Sequence, residues 1–292
     1  MIDFWIGAFP QALVNGALAG AVLALPAVGF NTVYAVLRFP NFAVASLATI
    51  GAYAGWVANA GLGWPAPLAL AAAFVVAGAL GALGDEVCLK SLRPLGALAA
   101  AIGSVALDLV FENAARFFFG NNPRGYDLPV FRNWRLGAIG IGPQEVEDAV
   151  LAVLAMVAIF LLLRLTRIGK AMRAVADNAA LAESKGIDPA RIAWAANFLG
   201  LGLTGVGGML VALDTSLDPL TGFRVLLSIF AAAVVGGLGS IPGAVAGAFV
   251  VGIGEELSTL VVAPTYRTAM GFLAILIVLS FRPGGLFGER AA

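Results

Sequence analysis

Between Gln11 and Leu37 the chain carries no charged side chain. A bilayer core is crossed by about 20 consecutive apolar residues in a helix, within a range of roughly 17 to 25, so this run alone predicts a membrane span. Similar runs recur along the sequence, at about 11–37, 41–60, 66–83, 95–118, 144–163, 191–213, 225–239, 241–262 and 268–281. That pattern predicts nine passes, with the short 225–239 and 268–281 segments open to being broken or re-entrant. Eight full spans plus half-helices accounts for the sequence almost as well. Composition agrees: 61% of residues are hydrophobic and 12% charged, too few polar groups to cover a soluble domain of this size. The expected fold class is therefore an all-α polytopic membrane protein with about eight to nine transmembrane helices, forming one domain over 1–292.

Other classes are disfavoured by what the chain contains. There is no His, which removes the commonest general base and metal ligand, and a single Cys88 supports neither a disulfide nor a cysteine metal cluster. Seventeen cations balance seventeen anions, so nothing in the bulk charge argues for nucleic acid. The expectation is a chain that is not an enzyme and binds no metal or cofactor. The N-terminus MIDFWIGAFPQ holds an acid where a signal peptide would be basic.

The one long polar interruption is Arg164–Arg191. Arg164, Arg167, Lys170, Arg173, Lys185 and Arg191 share it with Asp177, Glu183 and Asp188. Met172, Val175, Ala179 and Ala182 recur at spacings of three and four, giving a helix of about 170–185 one weakly apolar face. Gly186 reads as its stop, and Asp188-Pro189 as the N-cap and first position of the next span. With this loop inside, eleven Lys and Arg fall inside under the nine-span count, Arg38, Lys90, Arg93, Arg282 and Arg290 among them, against six outside. The N-terminus is then outside and the C-terminus cytoplasmic. Gly169-Lys170 is followed by Ala171 and lacks the earlier glycine of a phosphate loop, so ATP hydrolysis would have to come from another chain. GLGLTG at 200–205 matches a dinucleotide pattern only formally, because it lies inside an apolar span.

Two gly-rich helices follow interruptions, SLATIGAYAG (46–55) after FPNF (39–42), and GGLGSIPGAVAGAF (236–249) with its own Gly/Ser/Pro break at Ser240. Broken segments in corresponding positions point to an internal repeat of pattern and to a translocation path. Gly16-xxx-Gly20, Gly51-xxx-Gly55 and Gly243-xxx-Gly247 are small-residue faces for close helix packing. Asn31, Thr32, Tyr34, Asn41 and Tyr53 either line that path or satisfy backbone freed at the first break.

Asp108, Glu112 and Arg116 share one face of the fourth span, Asp108 about 20 Å from its inner end at 1.5 Å per residue. An acid at that depth faces protein or water and raises a functional hypothesis. It lines the path, or it is satisfied against another helix beside a Glu112–Arg116 pair. Glu255 and Glu256 point about 100° apart on the eighth span, so Glu255 is assigned to the bundle and Glu256 to a boundary.

The chain resembles the integral-membrane permease subunits of branched-chain amino acid ABC importers. The likeness runs from about Gln11 to Gly288. It rests on QALVNGALAGAVLALPAVGFNTVYAV, the NFA…IGAY stretch (41–53), GKAMRAVADNAALAESKGID (169–188), GGLGSIPGAVAGAFVVGIGEEL (236–257) and FLAILIVLSFRPGGLFG (272–288). The family also includes importers of urea, short amides and other small solutes. The resemblance implies a bacterial inner-membrane importer in which a second related permease chain, or a second copy, completes the pore. Two cytoplasmic ATPases would bind ATP and magnesium, and an extracytoplasmic binding protein would deliver the solute. It also implies that 169–188 docks on the ATPase, with Gly169, Lys170, Ala171, Arg173, Ala174, Asp177 and Gly186 as coupling residues. The path candidates are Asn31, Tyr34, Asn41, Tyr53, Asp108, Glu112, Ser240 and Glu255. The chain departs from the family's usual pattern at Asp108, Glu112 and FPNFAVAS.

Overall fold

The computed structural model describes residues 2–127, 132–136, 139–282 and 284–287; Pro283, Gly288 and Arg290 lie outside them. Among the described residues seven helices are long and apolar enough to cross a membrane. They are α1 (Ile2–Leu37), α3 (Ala66–Gly84, continued by a π-helical turn to Leu89), α4 (Ala97–Phe119), α5 (Pro143–Leu165), α8 (Pro189–Asp214), α10 (Ile241–Ser258) and α11 (Arg267–Phe281). Among the described residues two further apolar helices pack with them, α2 (Val44–Trp56, continued by a π-helical turn to Gly61) and α9 (Thr221–Gly236). Between α5 and α8 lie α6 (Arg167–Asp177) and α7 (Ala179–Ser184).

Two expectations change in detail. The 268–281 segment is not short: a 3₁₀ turn at Pro264–Tyr266 runs into α11, so the span covers Pro264–Phe281. The 41–60 segment starts late, and a π-helical turn at Val57–Gly61 carries it to its expected end. Arg38 takes a left-handed conformation (φ 58) that ends α1, and Phe39, preceding Pro40, is biased away from helix, so α2 starts only at Val44. The segment between α4 and α5 carries a pair of short strands. β1 (Trp134–Leu136) pairs antiparallel with β2 (Ile139–Ile141), Trp134 opposite Ile141. Gln11 of α1 clamps this hairpin, its side chain donating to the Gly140 carbonyl and accepting from the Gly140 N–H, both at 2.8 Å.

α8 is the most enclosed of the spanning helices and α11 the least. Lipid tails are as apolar as leucine, so membrane helices associate by close packing rather than by the hydrophobic effect. The glycine faces serve this end. A Cβ at Gly16 would sit 2.6 Å from the Cα of Ile253, one at Gly51 2.3 Å from the Cα of Gly205, and one at Gly243 2.3 Å from the carbonyl oxygen of Gly236. GLGLTG is therefore a packing surface, with Gly200 on α1, Gly205 on α2 and α3, and Thr204 returning its hydroxyl to the Gly200 carbonyl at 3.1 Å.

Candidate functional site

The polar segment forms in two pieces rather than as one helix over about 170–185. Thr166 caps α6 by accepting from the Gly169 N–H at 3.2 Å. Asn178 is extended (φ −157, ψ 104) and caps α7, accepting from the Leu181 N–H. Asparagine favours caps over helix interiors because its short amide competes for the backbone, which divides the segment there and leaves Ala179 exposed. Gly186 (φ 85) stops α7 and Asp188 caps α8 through the Ala190 and Arg191 N–H groups, as read from the sequence.

The faces of α6 separate cleanly. Met172 and Val175 are buried, while Lys170, Arg173 and Asp177 are exposed with Ala171 and Ala174 half-buried between them. Gly169 lies beneath this surface, not on it: a Cβ there would come within 1.9 Å of the Leu163 carbonyl oxygen. Arg173 donates to that same carbonyl at 2.6 Å, so it fastens α6 to the end of α5. Ile168 and Leu181 add exposed apolar surface, at 49% and 59% accessibility. An apolar residue on a polar segment was the sequence signal for them.

The polar residues of the spans do not gather into one cluster. At the first break Asn41 accepts from the Ala43 N–H (3.1 Å), Ser104 of α4 from the Phe42 N–H (2.9 Å) and Asp108 from the Ser46 N–H (2.8 Å). These acceptors meet N–H groups that a helix start leaves unpaired. At the second break Asn31 of α1 donates to the carbonyls of Gly237 (3.0 Å) and Ser240 (2.9 Å), and Ser240 caps α10 through the Gly243 N–H. Tyr34 stays half-buried beside Phe30, their rings 6.4 Å apart.

Tyr53 belongs elsewhere, stacked on Phe119 at 4.3 Å in a small satellite cluster. Next to it Tyr126, in the loop after α4, donates to the Ala52 carbonyl at 2.7 Å, and burial pushes its phenol above the ordinary value. Glu112 pairs with Arg116 on α4. Glu255 accepts from Ser228 of α9 (2.6 Å) and lies 3.5 Å from Arg267, which also reaches Glu256 at 2.7 Å. The bundle-facing and boundary glutamates thus share one arginine. Ser104, Ser228 and Thr49, whose hydroxyl accepts from the Gly222 N–H at 2.9 Å, gave no sequence signal, because a lone hydroxyl in an apolar run looks the same whether or not it caps a neighbour.

A family profile described as "Branched-chain amino acid transport system / permease component" matches residues 12–280. The chain belongs to this permease family. The permease is 30% identical to the high-affinity branched-chain amino acid transport system permease protein LivH of Escherichia coli K12, over 96% of each chain. It is 29% identical to BraD of Pseudomonas aeruginosa, covering 96% of the permease and 95% of BraD. A probable LivH of Methanocaldococcus jannaschii is 31% identical over 92% of the permease and 87% of the relative. Among solved structures, PsaBC from Streptococcus pneumoniae in complex with Fab aligns over 98% of both chains with a TM-score of 0.53 at 16% identity, a likeness of fold. The permease is a multi-pass membrane transport component and not itself an enzyme.

Proposed function

We propose that the permease is the pore-forming subunit of an ATP-driven importer of branched-chain and other hydrophobic amino acids, working by alternating access. Its partners are a second permease chain or a second copy, two cytoplasmic ATP-binding subunits that hold ATP and magnesium, and an extracytoplasmic solute-binding protein. It sits in the bacterial inner membrane with its N-terminus outside and its C-terminus in the cytoplasm. The observation that carries this reading is the family match along nearly the whole chain, supported by the polar α6–α7 segment held between two spans. Docked on an ATPase, that segment moves α5 and α8, and the coupling free energy is the difference in contact between the two states.

The solute class is tested by calorimetry on the binding protein that assembles with this permease. Leucine, isoleucine and valine are expected to bind; binding of urea or a short amide instead would move the permease to another branch of its family.

Asp108 acts as the cap of α2 in this reading. Asp108→Asn keeps an acceptor for the Ser46 N–H, so its thermal midpoint and uptake are expected within about twofold of the unaltered permease. Asp108→Leu orphans that buried donor, a cost of roughly 1–3 kcal/mol, and its midpoint falls. A large loss of uptake in a stable Asp108→Asn variant would instead put the carboxylate on the solute path.

A further inference from the structure

The break between α1 and α2 is tied to the polar segment by one side chain. Arg38 is the non-glycine residue with positive φ among the described residues. A left-handed conformation is unfavourable for any residue bearing a Cβ, and glycine is the ordinary choice just past a helix end. What arginine adds there is reach: its Nη2 donates to the carbonyl oxygen of Ala176 at 2.7 Å, across 138 positions of sequence. Ala176 lies in the last turn of α6, where carbonyls lack partners within their own helix and a cation meets the negative end of the helix dipole.

The break is also held from its other side. Phe39 is buried, with the Arg93 guanidinium 6.0 Å from its ring centre, and Arg93 pairs with Asp85 at the end of α3. Two residues on from Phe39 begins the set of acceptors, Asn41, Ser104 and Asp108, that fixes the start of α2. A displacement of the α6 C-terminus therefore pulls on Arg38, and through it on a short stretch whose far end sets where α2 begins.

We propose that Arg38 is a positioning residue for transport, a strut that carries movement of α6 into the α1–α2 break in addition to the covalent route through α5 and α8. The proposal rests on the importer reading, in which α6 moves with an ATPase. It names a residue outside the docking surface and a second direction of transmission, into the helix that packs on α8 through Gly51 and Gly205.

The test uses the assembled importer in membrane vesicles, with leucine uptake and ATP hydrolysis measured on the same preparation. Arg38→Gly and Arg38→Asn both suit a left-handed backbone and both remove the strut, while Arg38→Lys keeps one donor. Leucine uptake per ATP hydrolysed is expected to fall roughly five-fold or more in the Gly and Asn variants, the lower end of ordinary coupling factors. Subunit yield and thermal midpoint stay unchanged, and Arg38→Lys recovers part of the loss. Unchanged coupling in Arg38→Gly, with uptake still ATP-driven, overturns the strut alone. Loss of the folded subunit in both the Gly and Asn variants makes Arg38 an assembly residue and overturns it too. Uptake by the unaltered permease that ignores ATP overturns the strut and the importer reading together.

Discussion

Replacement of Gly51 by leucine is expected to remove folded permease from the membrane. A Cβ at position 51 would stand 2.3 Å from the Cα and 2.6 Å from the carbonyl oxygen of Gly205. Both contacts are to backbone, which cannot rotate aside as a side chain can. Nor can α8 retreat, because Gly205 itself is pressed against α3, where its own Cβ would meet that of Ala77 at 2.3 Å and the Ala73 carbonyl at 2.8 Å. Overpacking usually costs about 1–3 kcal/mol, and a three-helix stack with no slack lies at or beyond the top of that range. Gly254→Ala is the control, since nothing lies within 4 Å of a Cβ there. Monodisperse yield and thermal midpoint in detergent check the pair. Equal yields for the two variants would show that α2, α3 and α8 are not packed as described.

The second large effect is functional. Ala174→Glu is expected to reduce uptake to background, roughly a hundredfold loss, which lies within the span of ordinary coupling energies. Ala174 is half-buried in the middle of the outer face of α6, one turn from Lys170 and from Asp177. A carboxylate there adds bulk and charge to a contact surface without touching the buried face of Met172 and Val175. The subunit should keep its yield and midpoint, and Ala174→Ser should keep most of its uptake. Normal uptake with solute-stimulated ATPase in the glutamate variant would move the docking surface off α6.

These two residues show what could be read from sequence and what could not. Gly51 was legible, since small residues four apart in an apolar run mark close helix approach; its partner was not, because nothing in 46–55 names Gly205. The C-terminal end of the polar segment was legible at Gly186 and Asp188, whose roles are local. Its division at Asn178 was missed because a helix-period pattern continues across it through Ala179 and Ala182, and only the cap geometry overrides the pattern. Gly169 looked like part of a docking face and is instead the point where α6 touches the end of α5.

The path candidates diverged for a similar reason. Asn31 and Asn41 stand ten apart, yet Asn31 serves the second break, 206 positions away at Gly237, and Asn41 the first. Polar residues in spans are drawn to whichever backbone a break leaves unpaired, and that is settled by tertiary packing. Arg38 read as a topogenic charge; its left-handed backbone and its bond to Ala176 exist only in the fold.

The measurement that bears most directly on the importer reading is purification of the tagged permease from its native membrane, followed by reconstitution into liposomes. An ATP-binding subunit is expected to co-purify, to be lost on substituting Lys170, Ala174 and Asp177 together, and to be required with ATP for amino-acid uptake. Uptake by the permease alone, driven by an ion gradient and indifferent to ATP, would contradict it.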